Sequence, residues 1–325
     1  MKESERRPAF RESPQQRRRL DELNRLLAGV EAGLESEPAS PAWPLVFVIG
    51  APRSGTTLVS QVLASSGAYA WVNNFVARFW EAPVLGAKLA RAMGLDADAF
   101  GSSFDSAWGT TRGWLEPHEF GYFWNRFFDL GQETHALSPA ELKRVDAAGL
   151  RRAIDRLQVE LGGPLMLKNN TWCSFQAAFL AELFPRAIFV ACFRGVAWLA
   201  QSFLLARRAR LEDPHGWWSV RPPSYDTLRR LPVPQQVVGQ AHDIQAGIER
   251  ALRAVAPERV VRVEYAELCR APREVCRRTA AAAGLAAGDL ARVPSAFESR
   301  DVVRVPPHEW QILSQLASLQ AGAPS

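Results

Sequence analysis

Four apolar runs, each of a length suited to a β-strand, are spaced along the chain, and each is followed by a segment whose apolar residues have helical spacing. The runs cover residues 45–49, 165–167, 187–192 and 260–263, and the helical segments cover residues 56–64, 175–183, 196–206 and 273–283. Apolar runs without alternating polar positions are typical of parallel strands buried on both faces. The repeated alternation predicts an α/β fold of three layers, with a central parallel sheet flanked by helices.

Three other segments do not fit this alternation. Residues 1–43 are charged and carry apolar residues at helical spacing, so they predict a helical N-terminal arm that a proline-rich stretch ends. The remaining residues, 44–325, are then one domain. Within it, about residues 70–128 and residues 216–236 predict aromatic-rich helical insertions.

Composition and charge narrow the range of partners. At 325 residues and 47% hydrophobic, the chain is long enough for one large core. A net charge of +5 could serve nucleic acid, an acidic surface or a small anionic ligand. No run of Lys and Arg is interleaved with stacking aromatics, so we expect no nucleic-acid partner.

The compartment is indicated by the start of the chain and by the cysteines. The first residues are charged and lack the apolar core of a secretory signal, and no stretch approaches the roughly 18 apolar residues of a membrane span. The 4 cysteines lack CxxC spacing and lie in apolar stretches, so we expect free thiols. The sequence thus predicts a cytoplasmic protein without a membrane span, and it leaves the oligomeric state open, with a homodimer as one alternative.

A glycine-bounded loop joins the first predicted strand to the helix after it. It runs from Gly50 to Thr57 with the sequence GAPRSGTT, and its two glycines have the spacing of a P-loop. Backbone N–H groups in such a turn, together with the N-terminus of the following helix, favour a bound anion. The alternative is an ordinary glycine-rich turn between a strand and a helix.

The charge of this loop differs from that of a nucleoside triphosphatase. Thr56 stands where the Walker lysine would be, and the positive charge lies instead on Arg53 inside the loop. This arrangement suits a terminal group with less negative charge than a γ-phosphate, such as a sulfonate. It also makes Mg²⁺ less necessary, because there is less charge to neutralise.

A second anion site is indicated by Arg194, which lies at the end of the predicted strand formed by the third apolar run. Ser202 follows it by about two helical turns, so the two side chains could hold one phosphate from two sides. The alternative is that Arg194 is a surface arginine.

The string VIGAPRSGTTL at residues 48–58 resembles the 5′-phosphosulfate loop of sulfotransferases that use 3′-phosphoadenosine-5′-phosphosulfate (PAPS), especially bacterial and tyrosylprotein-type members. The resemblance covers about residues 44–300 and implies a P-loop-like fold with PAPS as co-substrate. It assigns the phosphosulfate end of PAPS to Arg53, Ser54, Gly55, Thr56 and Thr57.

The resemblance also implies residues for the rest of the donor. Arg194 and Ser202 match the family's 3′-phosphate element, Tyr265 matches a tyrosine near the adenosine, and Arg300 stands where a C-terminal phosphate contact is expected. The chain departs from the family after Arg194, where it has Gly195 and Val196 in place of the Asp-Pro or Asp-Gly that usually follows the arginine. It also lacks the glycine-rich basic loop of the cytosolic members.

Candidates for the chemical step are a cation and a base. Lys168 resembles the family's catalytic lysine at a strand end, and with Arg53 it could stabilise charge on the leaving group. Glu81, among aromatic residues that would raise its pKa, is the first candidate for the general base, and His118 and Glu119 are its competitors.

Asparagines stand at two positions where relatives place their base. Asn170 follows Lys168 by two residues, where cytosolic members have histidine, and Asn73 lies where tyrosylprotein-type members have glutamate. A relative that binds PAPS without catalysis therefore remains an alternative, as does a P-loop-like nucleotide-binding protein or kinase.

The expected function is transfer of a sulfuryl group from PAPS to a hydroxyl or amine of a small-molecule acceptor. The aromatic insertions favour an apolar or aromatic acceptor over a long anionic sugar chain, because stacked rings bury apolar area well. No metal site is expected, since the histidines lack paired-ligand spacing.

Overall fold

A computed structural model describes residues 3–34, 41–95 and 102–321. The strands are β1 (Leu45–Gly50), β2 (Ala70–Trp71), β3 (Ser106–Ala107), β4 (Thr110–Thr111), β5 (Leu165–Lys168), β6 (Ile188–Phe193) and β7 (Val260–Glu264). Five of them form a parallel sheet in the order β2-β5-β1-β6-β7, and β3 pairs with β4 in an antiparallel hairpin. The predicted α/β fold with a central parallel sheet is confirmed.

Helices cover both faces of the sheet. They are α1 (Pro14–Gly33), α2 (Thr56–Ser65), α3 (Pro83–Ala92), α4 (Gly121–Phe128), α5 (Pro139–Leu142), α6 (Ala147–Leu161), α7 (Ala177–Leu183), α8 (Val196–Arg210), α9 (Tyr225–Leu228), α10 (Val233–Leu252), α11 (Tyr265–Arg270), α12 (Pro272–Ala283) and α13 (Pro307–Ala321). Short 3₁₀ turns lie at Glu3–Glu5, Pro8–Phe10, Val76–Arg78, Pro257–Arg259 and Leu290–Arg292.

The strands of the parallel sheet contribute side chains to two separate cores, because successive residues of a strand point to opposite faces. In β1, Phe47 and Ile49 pack in a core with α4, α8 and α10, whereas Val46 and Val48 pack in a second core with α2 and α12. All six residues of β1 are buried. This burial on both faces is why the strand is a continuous apolar run in the sequence.

The aromatic-rich insertion at about residues 70–128 contributes chiefly to the core that contains Phe47 and Ile49. Its buried aromatic residues are Trp71, Phe79, Trp80, Phe120, Phe123, Trp124, Phe127 and Phe128. Phe120 and Phe123 stack with their ring centroids 4.5 Å apart. Most of the rings on which the expected apolar acceptor rested therefore stabilise the fold and do not face a ligand.

The N-terminal arm packs against the domain. In α1, the amide of Asn24 is fully buried and hydrogen-bonds the backbone of Arg78 and Glu81. Before the helix, the backbone N–H of Arg7 donates to the carbonyl of Arg210 over 2.8 Å. Most of the proline-rich stretch expected to end the arm lies outside the described residues.

Candidate active site

A cavity of about 870 Å³ opens at the carboxyl ends of the parallel strands. Its walls include residues that follow four of these strands: Arg53 after β1, Asn170 after β5, Arg194 after β6 and Tyr265 after β7. Ligands of parallel sheets bind at this edge. The volume lies near the upper end of the roughly 300–1,000 Å³ usual for ligand sites, so two ligands can be accommodated together.

The loop between β1 and α2 depends on its two glycines. A Cβ atom at Gly50, which has φ +155°, would lie 2.7 Å from the carbonyl oxygen of Cys192, and one at Gly55, which has φ +104°, would lie 2.9 Å from the Tyr265 ring. Arg53 itself adopts φ 71°. The loop then enters α2 at Thr56, so its backbone and the N-terminus of a ten-residue helix face the cavity.

Four guanidinium groups converge on the side of the cavity next to this loop. Arg53 donates from Nε to Ser202 Oγ over 3.1 Å. Burial, followed by the charges of Arg194, Arg300 and Arg304, lowers the pKa of Arg53 to about 10. The four positive charges repel one another, and a bound anion would relieve this repulsion, so the group favours an anionic ligand.

Arg194 is held on several sides. Its guanidinium pairs with Asp301 over 2.6 Å and donates to the carbonyl of Arg53 over 2.8 Å. It also lies 4.2 Å from the centre of the Tyr265 ring, and the Tyr265 hydroxyl accepts the backbone N–H of Arg300 over 3.2 Å. The structure thus brings together Arg53, Arg194, Ser202, Tyr265 and Arg300, which the sequence assigned to one ligand.

Lys168 and Glu119 form an ion pair next to the loop. The Lys168 ammonium is buried and donates to Glu119 Oε1 and, over 3.0 Å, to Thr57 Oγ1. The backbone carbonyl of Glu119 accepts a hydrogen bond from Asn169 Nδ2 over 3.1 Å, which fixes the approach of this segment to β5. The Glu119 side chain is 37% exposed and lines the cavity, so its carboxylate lies where a reacting group could reach it, whereas the Lys168 side chain is 3% exposed and is not among the lining residues.

A model of the sulfotransferase family matches residues 44–289, which include the loop, Glu119, Lys168 and Arg194. The chain belongs to the sulfotransferase family. Two solved structures have similar folds: a sulfotransferase from Mycobacterium avium (17% identity, TM-score 0.56, covering 94% of this chain and 86% of that one) and one from Mycobacterium tuberculosis (17% identity, TM-score 0.54, covering 93% and 81%). A comparison with curated proteins finds no significant sequence match.

Glu81 of this sulfotransferase lies away from the cavity. Its backbone N–H donates to Asn24 Oδ1 of α1 over 2.9 Å, and the residue is not among those that line the cavity. Burial lowers the pKa of Arg126, and the negative charge of the nearby Glu81 carboxylate partly offsets this lowering. The aromatic surroundings expected of Glu81 are present, but they belong to the packing between α1 and the domain.

His118 lines the cavity, and both its ring and its backbone N–H form hydrogen bonds with the backbone of other residues. Its Nδ1 accepts the N–H of Phe120 over 2.9 Å, and its own N–H donates to the carbonyl of Val72 over 2.9 Å. Burial lowers its pKa to about 4 despite the opposing charge of Glu119. The imidazole is therefore neutral near pH 7, and its Nδ1 lone pair is already used.

Ser54 differs from its neighbours in the loop. Arg53, Gly55, Thr56 and Thr57 line the cavity, whereas the Ser54 side chain is fully buried beneath them and its Oγ has no hydrogen-bond partner among the described residues. Its backbone N–H donates to Ala51 O over 3.1 Å. Ser54 thus shapes the loop from inside.

The hairpin of β3 and β4 also borders the cavity and was not predicted from the sequence. At its tip Trp108 and Gly109 have φ 56° and 88°, and the Trp108 ring lies 5.6 Å from the Arg53 guanidinium. The Gly109 carbonyl accepts a hydrogen bond from Thr57 Oγ1 over 3.4 Å. A glycine between two short polar strands, in SAWGTT, is the feature that could have indicated this turn.

Arg6 of the N-terminal arm and Arg304 near the C-terminus also line the cavity, and neither was predicted. Both lie outside the span that matches the family. In the described parts of the chain, no three His, Cys, Asp or Glu side chains are grouped as metal ligands would be. Within the same residues, no helix is both long and apolar enough to cross a membrane.

Proposed function

We propose that this sulfotransferase uses PAPS as its donor and transfers the sulfuryl group to a hydroxyl or amine of a small-molecule acceptor. The observation that carries the proposal is the arrangement around Thr57: a glycine-bounded, arginine-bearing loop lies on one side, and on the other lies Glu119, which lines the same cavity and pairs with the buried Lys168. Anion binding and proton transfer can therefore take place at adjoining positions.

The residues present fit the donor. The loop from Arg53 to Thr57 and the N-terminus of α2 would hold the phosphosulfate end, and no Walker lysine is needed for a sulfonate. Arg194, Ser202, Arg300 and Arg304 would surround the 3′-phosphate, with Tyr265 near the adenosine. PAPS supplies an activated sulfuryl group with a good leaving group, so the remaining work of the protein is positioning and charge stabilisation.

Glu119 is the proposed general base. It is a carboxylate that lines the cavity beside the loop, whereas Glu81 lies elsewhere and the imidazole of His118 already accepts a hydrogen bond at Nδ1. When Glu119 takes the proton of the acceptor, its negative charge is lost and the Lys168 ammonium is left to act toward the loop. There it can stabilise the charge that develops on the leaving phosphate oxygen.

The acceptor would lie beyond Glu119, against a mixed wall. Aromatic residues of this wall include Trp172 and Trp218, and the polar residues include Asn125, Asp129 and His135. Burial lowers the pKa of His135 to about 4, so this imidazole is neutral. The wall suits an acceptor with an aromatic or apolar body that also carries polar groups.

The donor assignment is tested by thermal stability. Because the loop lacks the Walker lysine, 3′-phosphoadenosine 5′-phosphate (PAP) without Mg²⁺ should raise the melting temperature, and ATP with Mg²⁺ should raise it much less. Stabilisation by ATP that requires Mg²⁺ and equals that by PAP would favour the nucleotide-binding or kinase alternative. Stabilisation by PAP without any sulfuryl transfer would favour the alternative of a relative that binds PAPS without catalysis.

A further inference from the structure

Arg194 makes nearly all of its possible hydrogen bonds within the protein. Its Nε donates to Asp301 Oδ1 over 2.7 Å, and one terminal nitrogen lies 2.6 Å from the same oxygen as an ion pair and donates to the carbonyl of Arg300 over 3.3 Å. The other terminal nitrogen donates to the carbonyl of Arg53 over 2.8 Å. Since a guanidinium has five N–H groups, these three hydrogen bonds leave two for the ion pair and for a ligand.

Asp301 approaches Arg194 from behind the cavity wall. Arg194 lines the cavity with only 8% of its side chain exposed, whereas Asp301 is not among the lining residues. The carboxylate therefore does not lie in the space that a ligand would use. It compensates one of the four guanidinium charges that would otherwise repel one another around Arg53.

Asp301 also belongs to a segment that closes the donor end of the cavity. This strap, residues 297–304, has no regular secondary structure and lies outside the span that matches the family. It is attached at Phe297, whose N–H donates to Cys269 O over 2.7 Å, and by Gln201, which bonds the backbone of Val302 and Arg304 over 3.0 and 2.8 Å. Between these attachments, the Arg194–Asp301 pair joins the strap to β6.

We propose that Asp301 is a positioning residue for donor recognition: through Arg194 it holds the strap so that Arg300 and Arg304 face the 3′-phosphate before the donor arrives. The inference rests on the proposed function. Its physical basis is preorganisation, because cations already fixed in place lose less conformational freedom on binding. Without the carboxylate, mutual repulsion would move Arg194 and the strap apart.

The test compares Asp301→Asn with wild type by calorimetry, using PAP and adenosine 5′-phosphosulfate, which lacks the 3′-phosphate. We expect the variant to bind PAP about tenfold or more weakly, as for the loss of a charge-assisted pair that organises a site. Binding of adenosine 5′-phosphosulfate should change little, and Asp301→Glu, which keeps the charge, should recover part of the affinity for PAP. The matched control is Glu249→Gln, which removes a carboxylate from Arg262 outside the cavity and should leave both affinities unchanged.

Each other outcome overturns the inference. An equal loss of affinity for both ligands would mean a structural role only, and a gain of affinity for PAP would mean that Asp301 competes with the phosphate. Unchanged PAP binding in the variant would show that the pair is irrelevant to the donor. If wild type itself fails to bind PAP, the proposed function fails as well, which distinguishes the two cases.

Discussion

Glu119 and Glu81 show how position decides the chemistry of a carboxylate. Glu119 lies beside the buried Lys168 ammonium with part of its side chain open to the cavity, whereas the backbone of Glu81 is held by α1. The local sequence around Glu81 is more suggestive, because tryptophan and proline flank it. Only the fold reveals that α1 covers that region and that β5 brings Lys168 to Glu119.

Glu119→Gln should therefore lower kcat by about 10²–10⁴, the usual contribution of a positioned base. Affinity for PAP, measured by calorimetry, should change little, because Glu119 is expected to face the acceptor. Glu81→Gln is the control and should keep turnover near that of wild type. The assignment is wrong if Glu119→Gln turns over normally while Glu81→Gln does not.

His118 gives a prediction about acid stability. Its pKa in the folded state is about 4 because of burial, below its ordinary value of 6.5. Between these pH values the unfolded chain binds a proton that the folded chain does not, so stability falls as the pH falls from about 6.5 to about 4. His118→Gln should reduce this fall, measured as the urea midpoint at pH 7 and pH 5. An unchanged difference between the two midpoints would show that His118 is not held neutral.

At the scale of elements, buried strands were the easiest to predict. The strands predicted at residues 45–49 and 187–192 are observed at Leu45–Gly50 and Ile188–Phe193, and every residue of both is buried. Burial on both faces leaves an apolar run in the sequence that needs no tertiary information to detect. The strands β2, β3 and β4 have only two residues each, which is too short for an apolar run. Contacts with neighbouring segments stabilise them, and such contacts cannot be detected in the local sequence.

The hairpin should matter for the donor. The Trp108 ring lies over Arg53, so Trp108→Ala should weaken PAP binding by about 2- to 20-fold, as expected for loss of a partly desolvated cation–π contact. Trp114→Ala is a matched control in the same insertion, since Trp114 is 57% exposed and does not line the cavity. Calorimetry with PAP checks both variants, and equal effects would mean that the insertion acts through general stability.

At the scale of the whole molecule, the meeting of residues at the carboxyl ends of the strands was predictable from the sequence, whereas the rest of the cavity wall was not. Arg53, Arg194 and Tyr265 meet because the carboxyl ends of parallel strands share one edge of the sheet. Asp301 and Arg6 lie on segments that do not follow a strand of the sheet, so strand order does not predict their positions. Tertiary contacts determine where they lie. Most rings of the aromatic insertion at residues 70–128 lie in the core for a related reason: they cover the sheet.

The N-terminal arm gives a test at this scale. Removal of residues 1–12 takes away Arg6 from the cavity wall and the bridge between Arg6 and Leu211. We expect PAP binding to be kept and kcat/KM for the acceptor to fall about tenfold or more, since acceptor positioning would be lost. Arg18→Ala, at an exposed position of α1, should change neither quantity. Loss of PAP binding on truncation would contradict this expectation and would mean that the arm contributes to donor binding instead.

The most direct test of the central claim is transfer of a labelled sulfuryl group. Wild type and Glu119→Gln would be incubated with ³⁵S-labelled PAPS and a panel of phenols, alcohols and amines without Mg²⁺, and labelled product and PAP would be quantified together. We expect labelled product from wild type, with PAP released in equal amount, and at least about a hundredfold less product from the variant. Absence of labelled product from wild type across the panel, or equal product from both proteins, would contradict this claim.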